Sequence, residues 1–61
     1  MKGSHIIAQK LIKEQPSLQQ AALIAGDRHL AACDINSVKE KFWREVEEAI
    51  IYFIYHGELP K

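Results

Sequence analysis

The chain has one cysteine, two prolines, three glycines, one tryptophan and no surplus of either charge. Each scarcity excludes something. A lone Cys33 cannot form an intramolecular disulfide. The histidines His5, His29 and His56, even taken with Glu45 and Glu48, do not fall at any spacing that ligates zinc. Eight Lys and Arg residues cancel eight Asp and Glu residues, and both kinds are scattered along the sequence. There is therefore no basic stripe of the kind that binds nucleic acid non-specifically, and no acidic tail. The densest apolar run, Ile50 to Tyr55, is far shorter than the roughly 20 residues a membrane-spanning helix needs. Near the N-terminus, Ile6-Ile7-Ala8 is broken by Gln9 and Lys10, so no secretory segment is expected. These features point to a cytoplasmic protein without metal or cofactor.

What is present is helical periodicity, clearest in the last third. At about 100° per residue, Val38, Phe42, Val46, Ala49, Ile50, Phe53 and Ile54 fall in one arc with Trp43 on its edge. Glu40, Lys41, Arg44, Glu45, Glu47 and Glu48 fall opposite. Ser37-Val38-Lys39-Glu40 has the form of a capping box, with Asp34 and Asn36 as rival caps. Gly57 can adopt the left-handed conformation that closes a helix, and Pro60 cannot continue one. A helix over 37–56 follows. Its second half is apolar on nearly every side, because Ile51 and Tyr55 point away from the main stripe.

Two further helices precede it. The first, 4–15, would be capped by Ser4 and carry Ile7, Ala8, Leu11 and Ile12 on one face, with Ile6 off that stripe as a staple or outer residue. Pro16 forces Gln15 out of helical geometry, and Ser17-Leu18-Gln19-Gln20 repeats the capping-box pattern. The second helix, 17–33, is rich in small residues. Leu18, Ala21, Ala22, Ala25, His29, Ala32 and Cys33 share one face, whereas Leu23, Ile24, Leu30 and Ala31 point elsewhere. Gly26 within it costs about 1 kcal/mol relative to alanine and marks either a close contact or a break. Since Asp34 to Ser37 contains neither glycine nor proline, a rival reading lets the second and third helices run together.

The expected fold is thus all-α: a single three-helix domain with a long C-terminal helix. A 61-residue chain buries only about 60% of its unfolded surface. Without disulfide or zinc, oligomerisation is the remaining device for stabilising it. The expected partner surface of a homodimer, or of a complex with another protein, is Trp43, Ile50, Ile51, Phe53, Ile54 and Tyr55. Tyr52 and Tyr55, with Glu48, form a polar-aromatic edge that could add to it.

No catalytic constellation is expected. Glu47 and Glu48 are consecutive and point apart on a helix. Cys33 lies one turn after His29 but has no pocket or oxyanion donors in prospect, so it reads as a small buried side chain. Two resemblances bear on regulation. Gln20 to Leu30, with an alanine pair followed by Gly26, resembles the first helix and turn of a helix-turn-helix. That resemblance implies an alternative, a DNA-binding regulator using residues 21–36 with Arg28 and His29 at the groove. Gly26-Asp27-Arg28-His29-Leu30-Ala31 followed by Ile35-Asn36 resembles the central helix of the Hha/YmoA family of small regulators, which implies action through a protein partner. The leading expectation is a non-enzymatic interaction module: an adaptor, inhibitor or antitoxin-like protein.

Overall fold

The computed structural model describes residues 2–33 and 37–60, with Cys33 described through its backbone alone. Among the described residues the regular elements are three α-helices: α1 (Gly3–Glu14), α2 (Leu18–Cys33) and α3 (Ser37–His56). At 1.5 Å per residue, the 20 residues of α3 run about 30 Å, matching the 31 Å long dimension of the molecule. Both other helices pack on α3, and α1 and α2 hardly meet each other.

The local signals explain most boundaries. Gln15 leaves α1 with φ −88° and ψ 149°, the extended geometry imposed by the following proline, and its N–H still donates to the Leu11 carbonyl at 3.0 Å. The Gln20 N–H donates to Ser17 Oγ at 3.2 Å, so Ser17 caps α2 from just outside it. Gly57 closes α3 at φ 76°, its N–H donating to the Phe53 carbonyl at 2.8 Å.

Other expectations are corrected. Ser4 is not the cap of α1: the helix begins at Gly3, and Lys2 precedes it without a side-chain capping bond. Ser4 turns inward instead, where it is buried and donates from Oγ to Glu45 Oε2 of α3 at 3.1 Å. A hydrogen bond to a carboxylate stabilises more than a neutral one, which favours this use of the hydroxyl over capping. Gly26 does not break α2, which is helical throughout Leu18–Cys33. A Cβ on Gly26 would meet the end of the flexible Glu47 side chain, Oε2 at 2.8 Å, so the glycine leaves room for that carboxylate. The rival caps Asp34 and Asn36, the Ile35-Asn36 pair and the Cys33 side chain lie outside the described residues. The reading in which α2 and α3 form one rod fails on other grounds. Gly26 faces Glu47 and His29 faces Glu40, so the two helices run antiparallel.

The core is built mainly from small side chains. Its buried apolar residues are Ala8, Ala21, Ala25, Ala32, Val46, Ala49 and Ile50, and its largest fully buried side chains are Ile50 and Val46. Ile7, Leu11, Ile12, Ala22, Phe42, Trp43 and Leu59 cover it at the edges. Alanines let the helices approach closely but remove little apolar surface from water, so few positions carry the fold. Truncating Ile50 to alanine is expected to cost about 2–5 kcal/mol, and Ser17→Ala about 1 kcal/mol through the lost cap. Urea denaturation followed by circular dichroism should rank them in that order.

Candidate interaction surface

The antiparallel register of α2 and α3 brings two stripes of like spacing side by side. Gln19, Leu23, Gly26 and Leu30 recur on α2 at four, three and four residues, and Glu47, Ile51 and Ile54 recur on α3 at four and three. With Ala22, Asp27 and His29 they line an open groove of about 620 Å³. Leu23 is 64% exposed, Leu30 70%, and Ile51 and Ile54 each 42%, so this groove presents large apolar side chains to solvent.

Of the six residues expected to form a partner surface, Ile51 and Ile54 lie in the groove. Tyr55 stands beyond it at 80% exposure. Ile50 is corrected: it is fully buried in the core and has no surface to offer. Trp43 is half-buried against the core, edge-on to Phe42 with ring centroids 5.5 Å apart. Phe53 is half-buried as well. Leu23 and Leu30 were not expected here. Their seven-residue spacing, opposite the alanine face, was the available signal.

A polar cluster reaches the groove through His29 and Glu47. His29, 19% exposed through its side chain, donates from Nε2 to Glu40 Oε1 at 2.9 Å. His29 Nδ1 lies 3.7 Å from Glu47 Oε1, and an Arg44 guanidinium nitrogen lies 3.9 Å from Glu40 Oε1. The hydrogen bond from His29, helped by the charge of Arg44 and opposed by partial burial, holds the Glu40 carboxyl below the ordinary glutamate range. The Arg28 guanidinium lies over the Trp43 ring, 5.3 Å from its centroid.

These contacts bear on the helix-turn-helix alternative. α2 is unbroken at Gly26, where that resemblance placed the turn. Arg28 and His29, the residues that alternative sets at the DNA groove, contact Trp43 and Glu40 of α3.

A second, more polar concavity lies on the other side of α3, lined by Lys2, His5, Glu45, Glu48, Ala49, Tyr52, Leu59 and Pro60. The Tyr52 ring stacks on His56 beside it with centroids 4.1 Å apart, so the imidazole packs on an aromatic neighbour. Among the described residues no group of three or more His, Cys, Asp or Glu side chains is placed to hold a metal ion, and no helix is long and apolar enough to cross a membrane.

Comparison with protein-family models, with curated protein sequences and with solved structures finds no match to this chain. The likeness around Gly26 to Ala31 is therefore not accompanied by a family match.

The lowered Glu40 carboxyl has a pH consequence. A carboxyl depressed in the folded chain stabilises it fully above the unfolded value, and that contribution is lost as pH falls through the folded value. Stability should therefore fall as the solution is acidified below the ordinary glutamate range. Glu40→Gln should flatten this part of the acid limb, read from urea midpoints between neutral and strongly acidic pH.

Proposed function

We propose that the protein is a non-enzymatic interaction module, cytoplasmic in location, whose α2–α3 groove pairs with a second copy of the chain. Its role would be regulatory, as an adaptor, inhibitor or antitoxin-like partner acting through helical apolar surface. The observation that carries this reading is the joining of Leu23, Leu30, Ile51 and Ile54 into one exposed face along two helices. Monomeric proteins seldom leave large contiguous apolar patches uncovered.

Two features favour a copy of the same chain as the occupant. A two-fold interface sets one patch against itself, so that patch must hold both projections and recesses. Here the exposed Leu23, Leu30, Ile51 and Ile54 are the projections, and the open groove they line is the recess. Among the described residues the largest fully buried side chains are Ile50 and Val46, so pairing would add apolar burial to a small core.

Light scattering on the full chain over a range up to high micromolar concentration tests the proposal. The expected mass is twice the 7.0 kDa of one chain. Leu23→Glu and Ile51→Glu alter exposed helix positions, so both variants should keep wild-type circular dichroism and run at the single-chain mass. A wild-type protein that stays at 7.0 kDa throughout would remove the reading.

A further inference from the structure

The three helices are not held equally. Of the 12 residues of α1, only Ser4 and Ala8 are buried, with Ile7, Leu11 and Ile12 half-buried against the core. The buried cluster draws all its other members from α2 and α3: Ala21, Ala25, Val46, Ala49 and Ile50. The polar contacts between those two helices, His29 to Glu40 and Arg28 over Trp43, involve no residue of α1. α1 packs on α3 and hardly meets α2. A helix of 12 residues is marginal by itself in water. Its joint to α2 is the non-helical stretch 15–17, in which Gln15 is extended, and a short joint of this kind absorbs the change of direction when a helix swings away.

Two fastenings lie at the N-terminal end of α1. One is the Ser4 hydroxyl, which donates to Glu45 Oε2 at 3.1 Å. The other comes from the far end of the chain. Gly57, at φ 76°, ends α3 and turns the backbone, and Leu59 then packs against the core, with Pro60 half-buried after it. Leu59 and Pro60 share one concavity with Lys2 and His5 at the start of α1 and with Ala49 and Tyr52 of α3. The tail thus closes the α1–α3 seam at the end where Ser4 meets Glu45.

We infer that α1 is a releasable cover on α3: it opens as one unit about residues 15–17 and leaves the α2–α3 pair folded, and the C-terminal tail at Leu59 is the latch that holds it shut. Opening bares the face of α3 at Phe42, Glu45 and Ala49. The first turn of α1 lies over that face: a Cβ on Gly3 would touch the Phe42 ring at 3.9 Å, Ser4 bonds Glu45, and His5 shares the concavity with Ala49. None of these residues lines the α2–α3 groove, so the cover is independent of pairing through that groove.

Native-state hydrogen exchange of the full chain at low urea, read amide by amide in NMR spectra, tests the cover and its latch. The amides of Ile7 to Lys13 should share one protection factor, lower by roughly tenfold or more than those of Ala25, Val46 and Ile50. Leu59→Ala should speed exchange throughout α1 by about tenfold while α2 and α3 keep their wild-type rates. Ser4→Ala should act on α1 in the same direction. Circular dichroism checks that both variants fold, and Leu59→Val makes the latch test by a smaller step if Leu59→Ala does not. Equal protection in all three wild-type helices would overturn the cover. Exchange in the Leu59 variant that rises equally everywhere, or stays unchanged in α1, would overturn the latch.

Discussion

The close seam between α2 and α3 governs the rest of the molecule. Ala21 and Ala25 of α2 are buried together with Val46, Ala49 and Ile50 of α3. Side chains this small let the two backbones approach closely, and the Glu47 carboxylate lies over Gly26, where a Cβ would have to displace it. The large residues of both helices are then left to the flanks. Leu23 and Leu30 cannot join a seam whose centre is already filled by α3, and Ile51 and Ile54 stand on the same side of it. The exposed apolar face therefore follows from the tight core, because both come from the same rotation of two helices about their axes.

Polar contacts lock that rotation. Ser4 to Glu45 holds α1 on α3, and His29 to Glu40, with Glu47 nearby, holds α2 on α3. Each links a helix to α3, which matches a packing in which α1 and α2 hardly touch. Arg28 over Trp43 adds a cation–aromatic contact on the same seam. Such contacts contribute modestly to stability, but they fix which face of each helix turns toward α3.

How far the sequence disclosed this depends on whether a feature belongs to one helix or to two. The stop at Pro16, the cap at Ser17 and the closure at Gly57 are local events, and each was readable from a few residues. So was the alanine face of α2, because its periodicity is that of a single helix. Ser4 was misread as a capping group since its true partner, Glu45, lies on another helix, and the bond from His29 to Glu40 likewise joins two helices. Ile50 and Ile51 are consecutive and equally apolar, yet one is fully buried and the other is 42% exposed. No single-helix pattern separates such neighbours when the helix is apolar nearly all round. For the same reason the surface was expected on α3 alone, whereas half of it belongs to Leu23 and Leu30 of α2.

The central claim is that one particular two-helix face recruits a second chain, and residue-resolved concentration dependence tests it most directly. Methyl resonances of the isotopically labelled full chain, followed by NMR from dilute to high micromolar solution, should shift at Leu23, Leu30, Ile51 and Ile54. Ile7, Leu11, Val46 and Ile50, which belong to the core and its edge, should stay in place. Spectra that do not change with concentration, or shifts confined to Ile6 and the outer side of α1, would contradict the account.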